Sequence, residues 1–148
     1  MRKHSFRPSK KLGQHFISDR SILDRIAQAA ELAAEDTVLE IGSGTGSLTR
    51  SLAVRCRRVI AVEIDRRLCE VLKEAVASYS NVEVVEGDIL KIDLRGLGVL
   101  NHKIKVVGNL PYYITTPIIM KLIREREQIE DMTLTVQREV AERLSAAP

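Results

Sequence analysis

Tryptophan is absent from this chain of 148 residues, and only five aromatics occur: Phe6, Phe16, Tyr79, Tyr112 and Tyr113. A core must therefore be built from Leu, Ile, Val and Ala. No long uncharged apolar stretch is present, which argues against a membrane span. At 45% apolar and 29% charged residues the composition is that of a folded protein, not a disordered one, and the length suits one domain. No apolar segment follows the basic start, so a secretory signal is not expected. Cysteine is scarce as well. Cys56 and Cys69 form no CxxC pair, and His4, His15 and His102 are scattered, so no metal site is expected. Both cysteines are expected on apolar helix faces as buried, reduced thiols, which makes the cytoplasm the expected compartment.

Acidic residues are missing from one region. Residues 1–18 carry Arg2, Lys3, Arg7, Lys10 and Lys11 and none of the 20 Asp and Glu, so the net charge of +3 belongs to this arm. A basic arm attracts polyanions such as a phosphate backbone, and it is equally compatible with a solvated terminus.

Beyond the arm, short apolar runs alternate with helical patterns, with no repeat. Ser21 and Asp24 read as an N-cap and its capping-box partner, opening a helix with Ile22, Leu23, Ile26, Ala27 and Ala30 on one face. Strands are expected over 38–41, 59–62, 82–85, 104–107 and 132–136. The helices between them carry Leu48, Leu52 and Cys56, then Leu68, Val71, Leu72, Ala75 and Val76, then Ile119, Leu122 and Ile123. Thr116 and Pro117 read as N-cap and first residue of that last helix, and residues 140–144 as a closing one. The alternation predicts an α/β fold with a mainly parallel sheet, whose ligands bind beyond the carboxyl ends of the strands.

Three consecutive strand ends offer groups suited to an adenosine. The first strand runs into Gly42-Ser43-Gly44-Thr45-Gly46, a turn that lets backbone approach a ligand before a helix presents its amides. The second ends in Glu63, able to accept from both hydroxyls of a ribose, or else a surface acid beside Arg66 and Arg67. The third is followed by Gly87-Asp88-Ile89, where a carboxylate can accept from an adenine amino group or simply make a turn. Ser47 stands where a dinucleotide GxGxxG motif has its last glycine, which favours S-adenosyl-L-methionine over NAD.

The fourth strand enters Gly108-Asn109-Leu110-Pro111-Tyr112-Tyr113. Pro111 fixes its own φ and biases Leu110 toward an extended conformation. The Leu110 carbonyl and the Asn109 side-chain carbonyl can then aim at one point, as two acceptors for an amine with two hydrogens, with Tyr112 available to stack on the ring that carries it. A rigid turn capped by tyrosines is the alternative.

The Asn109-Leu110-Pro111-Tyr112 segment resembles the catalytic motif of ribosomal RNA adenine N6-dimethyltransferases, specifically the small-subunit enzymes. The resemblance extends through Leu12-Gly13-Gln14-His15-Phe16, residues 38–49, Val62-Glu63-Ile64-Asp65, Gly87-Asp88, residues 108–122 and Val136-Gln137-Arg138-Glu139-Val140. It implies a Rossmann-like methyltransferase fold using S-adenosyl-L-methionine. It implies that Gln14, His15 and Ile17 border the cofactor, that Gly42 and Gly44 approach it through backbone, that Glu63 holds its ribose and that Asp88 with Ile89 reads its adenine. Asn109 then contacts both cofactor and target, Leu110 and Pro111 complete the catalytic motif, Tyr112 stacks on a flipped adenine, and Phe16 helps close the pocket. The implied partner is small-subunit rRNA in the small ribosomal subunit, dimethylated at N6 of two adjacent adenines near its 3′ end, with no membrane and no metal.

Residues 1–18 then form the basic arm and cofactor-closing motif, and residues 19–148 an incomplete catalytic domain. The two further strands and the C-terminal helical domain of that family are expected to be absent, leaving the fifth strand as an apolar edge open to self-association. His15 stands where Asn is more usual in the family. The rival readings are a non-catalytic RNA- or ribosome-binding fragment, and a large-subunit rRNA adenine methylase. The latter more often has Ile at position 110 and Phe at position 112. An NAD-dependent dehydrogenase is the most distant reading.

Overall fold

The computed structural model describes residues 20–97, 102–110 and 114–146. Helix α1 spans Arg20–Ala29, β1 Thr37–Ile41, α2 Ser47–Ala53, β2 Arg58–Glu63, α3 Arg66–Ala75 and β3 Val82–Glu86. Then come β4 Ile104–Asn109, α4 Thr115–Arg124, β5 Ile129–Thr135 and α5 Arg138–Ser145. The five strands form one parallel sheet in the order β3-β2-β1-β4-β5. This is the Rossmann-like architecture expected, and the strand order reverses between β1 and β4, where sheets of this kind open a crevice.

Side-chain alternation along the strands divides the core in two. Val38, Val59, Ala61 and Val107 meet Leu23, Ile26 and Ala27 of α1, Leu48 and Leu52 of α2, and Leu72 of α3. Their neighbours Leu39, Ile41, Ile60, Val62, Ile104 and Val106 face the other way, onto Ile118, Ile119 and Leu122 of α4. Central strands covered on both faces read as continuous apolar runs. Each fully buried Leu or Ile contributes about 1.5–3 kcal/mol relative to exposure.

The amino end of the sheet is fastened by a buried lysine. Lys105 Nζ donates to the Glu31 carbonyl at 2.7 Å, beyond the end of α1, and pairs with Asp36 at 3.3 Å and Asp131 at 3.8 Å. One cation thereby ties α1, the approach to β1, β4 and β5.

Several local expectations need correction. Ser21 lies inside the first turn of α1 instead of capping it, and Ile22 is exposed. Helix α4 starts one residue before Thr116, with Ile114 as its N-cap, so Thr116 and Pro117 are its second and third residues. Cys69 is buried on α3, but Cys56 lies past the end of α2 and is only half-buried. Strand β5 begins at Ile129, three residues earlier than the apolar pattern suggests. Its early residues Glu130 and Asp131 are exposed, and the register with β4 shifts between Ile104 and Lys105. It is an edge strand, but a partly polar one.

Candidate active site

The carboxyl ends of β1, β2, β3 and β4 lie along one edge of the sheet, because parallel pairing sets Ile41 opposite Val62 and Gly108, and Glu63 opposite Glu86. At the end of β1 the chain turns through three glycines with positive φ, Gly42 at 71°, Gly44 at 58° and Gly46 at 91°. An L-residue is strained there. The turn is hung from β2 by the Gly42 and Ser43 amides, which donate to the Val62 carbonyl at 2.9 and 3.2 Å. Gly46 also permits close packing, since a Cβ there would stand 2.9 Å from Leu72 Cδ1 of α3.

Glu63 is brought directly to this turn. It is buried, and its Oε2 accepts from the Gly44 amide at 2.9 Å while Oε1 accepts from the Asp65 amide at 3.1 Å. Burial raises its pKa, and the two backbone amides oppose that shift. Asp65 in turn caps α3, accepting from Arg67 and Leu68.

The β3 corner follows from the same register. The Gly87 amide donates to the Glu63 carbonyl at 3.0 Å, and Asp88 then caps a short 3-10 turn over Ile89–Lys91, its Oδ1 accepting from the Leu90 amide at 3.0 Å. Ile89 is buried beneath it. On the other side of β1, Asn109 ends β4 half-buried, and its carbonyl oxygen lies 3.6 Å from where a Gly42 Cβ would be. Leu110 continues the ladder, its amide donating to Thr135 of β5 at 3.2 Å. Gly42, Gly44, Glu63, Asp88, Ile89, Asn109 and Leu110 thus share one edge. Gln14, His15, Phe16, Ile17, Pro111 and Tyr112 lie outside the described residues.

A polar cluster beneath the glycine turn escaped the sequence reading. Glu40, within β1, is 1% exposed and accepts a hydrogen bond from the Thr49 hydroxyl of α2. Burial lifts its pKa from the ordinary 4.5 to about 7, against the Thr49 bond and helped by the charge of Glu63. Ser43 Oγ lies near the same carboxylate, buried and without a partner at hydrogen-bonding geometry among the described residues. An acid inside an otherwise apolar strand, just before a glycine turn, is the signal that marks it. Among the described residues no group of three or more His, Cys, Asp or Glu could hold a metal ion. No described helix is long and apolar enough to cross a membrane.

Residues 5–148 match the family model for ribosomal RNA adenine dimethylase. The chain belongs to that family. Among relatives in the dimethylase family, it is 45% identical to the ribosomal RNA small subunit methyltransferase A of Alkaliphilus oremlandii over 151 aligned residues, covering 100% of this chain and 53% of that one. The protein of the same name from Ligilactobacillus salivarius is 51% identical, over 94% of this chain and 48% of its own length. The chain therefore spans about half the length of the curated relatives it matches. Among solved structures, a dimethyladenosine transferase from Plasmodium falciparum superposes with TM-score 0.79 at 38% identity, covering 90% of this chain and 47% of that one. The 23S rRNA methyltransferase ErmE does so with TM-score 0.79 at 39% identity, covering 86% and 50%.

Proposed function

We propose that this chain is the catalytic region of a small-subunit rRNA adenine N6-dimethyltransferase. On this reading it uses S-adenosyl-L-methionine to dimethylate two adjacent adenines near the 3′ end of the rRNA, in the cytoplasm. The observation that carries the reading is the meeting of Gly42, Gly44, Glu63 and Asn109 at the switch point of the sheet, in a member of the adenine dimethylase family. The cofactor fits what stands there. Gly42, left-handed and exposed, brings backbone to the surface of the turn, and the Glu63 carboxylate stands beside it, bonded to the Gly44 amide.

S-adenosylmethionine, when bound, supplies a methyl group on a positively charged sulfur. The work of the chain is to bind, orient and polarise. Gly42 and Gly44 admit the ligand against backbone, Glu63 accepts from the ribose hydroxyls, and Asp88 accepts from the adenine amino group above Ile89. By the family resemblance, Gln14, His15 and Ile17 border the cofactor. Adenine N6 is a weak nucleophile because its lone pair is delocalised into the ring. The Asn109 side-chain carbonyl and the Leu110 carbonyl accept its two hydrogens and favour the positive charge that develops on it. Pro111 fixes that geometry, and Tyr112 stacks on the target base. Holding the amine in line supplies much of the remaining acceleration. The product ammonium is acidic enough to lose its proton without a dedicated base.

Small-subunit relatives at 44–51% identity support this target over the large subunit. The test is methyl transfer from isotopically labelled S-adenosylmethionine to unmethylated small and large subunits, with the modified nucleosides identified by mass spectrometry. N6,N6-dimethyladenosine in the small subunit is expected, and Asn109→Ala should reduce its rate by roughly 100- to 1,000-fold. Label only in large subunits, or none from a chain that binds the cofactor, contradicts the proposal.

A further inference from the structure

Lys121 and Glu125 take no part in the site described above, yet they bond the end of α4 to the segment that follows the Asp88 turn. Lys121 is 9% exposed, and its Nζ donates to the Ile92 carbonyl at 2.6 Å and to Glu125 Oε2 at 2.6 Å. The other carboxylate oxygen of Glu125 accepts from the Leu94 amide at 3.4 Å. Together they grip the segment that leaves β3 at two backbone points, immediately after the Asp88 turn. That turn is continuous with the grip, because the Ile92 amide bonds back to Ile89 at 3.4 Å and the Lys91 amide to Asp88 at 2.9 Å. Ile89 and Leu94 add an apolar contact with Ile118, Ile119 and Leu122 on the same helix.

Helix α4 begins at Thr115, a few residues beyond Leu110, so it is a common strut for two corners. One presents Asp88 and Ile89; the other presents Asn109 and Leu110. A buried lysine is costly to desolvate, and an apolar side chain of similar volume would often serve stability as well. Its two partners here are specific backbone and carboxylate oxygens, which is what fixing a register requires.

Building on the cofactor reading above, we infer that Lys121, through Ile92 and Glu125, is a positioning residue that sets the Asp88–Ile89 turn for recognition of the cofactor's adenine. It touches neither cofactor nor target. Lys121→Met keeps the apolar stem and removes the ammonium. The double variant Lys121→Met/Glu125→Gln also removes the carboxylate left behind, so that the fold is not burdened with a lone charge.

The test titrates wild type and both variants with S-adenosylhomocysteine and with its inosine counterpart, in which oxygen replaces the adenine amino group. Amide exchange at Leu90 and Lys91 is followed in parallel. The variants are expected to bind S-adenosylhomocysteine roughly tenfold more weakly, the scale of one lost charge-assisted hydrogen bond. The inosine ligand, which lacks the group that Asp88 reads, should change by less than about twofold on the same scale. Exchange at Leu90 and Lys91 should quicken while β1 and β2 keep their protection. Unchanged affinity, equal weakening of both ligands, or failure of both variants to fold would overturn the positioning role. Failure of the wild type to bind S-adenosylhomocysteine would instead overturn the cofactor reading, and this inference with it.

Discussion

In β1 and β2 every residue from Val38 to Ile41 and from Val59 to Glu63 is buried, whereas β5 buries only Ile129 and α5 buries none of its eight residues. The first region holds the glycine turn and Glu63 against two layers of apolar side chains. The second is held by the strand ladder to β4, by Ile129 with the partly buried Leu134 and Val136, and by the Lys105–Asp131 pair, while the Arg138–Glu142 pair lies within α5 itself. The corner proposed for the cofactor is built into the core, while the β5–α5 end is largely exposed.

The Glu40 carboxyl, raised by burial to about 7, is protonated in the folded chain at pH values where the unfolded chain has lost the proton. Stability should therefore fall as pH rises from about 4.5 to about 7 and level off above, by at most about 3 kcal/mol from this group. Glu63, also raised by burial, adds a slope of the same sign. Urea unfolding at a series of pH values should show Glu40→Gln with a markedly flatter profile. A slope identical to wild type would mean that the buried corner does not hold a neutral acid.

Smaller effects sharpen the same contrast. Gly46→Ala forces a side chain into a left-handed φ and against Leu72, which should cost about 2 kcal/mol of unfolding free energy. Leu144→Ala on the exposed face of α5 should stay within about 0.5 kcal/mol. Equal losses at the two positions would show that α5 is packed as firmly as the glycine corner.

The buried half was also the legible half. Val38-Leu39 and Val59-Ile60 announce strands because both faces are covered, and Gly42 to Gly46 announces the turn because few other residues tolerate it. The family resemblance then gave roles to Glu63, Asp88 and Asn109, and the fold puts these at or just past the carboxyl ends of β2, β3 and β4, along one edge of the sheet. What stayed hidden depends on partners distant in sequence. Thr49 explains Glu40, and the Glu31 carbonyl with Asp36 and Asp131 explains Lys105. Ile92 explains Lys121. The start of β5 was misread because Glu130 and Asp131 interrupt the apolar pattern at a register shift.

In the proposed cofactor corner, Glu63 meets the glycine turn. Calorimetric titration of the wild type and Glu63→Ala with S-adenosylhomocysteine tests it most directly. Saturable binding to the wild type is expected, weakened by roughly ten- to 100-fold in the variant through loss of charge-assisted hydrogen bonds. Equal affinity in both proteins, or no binding to a folded wild type, would contradict it.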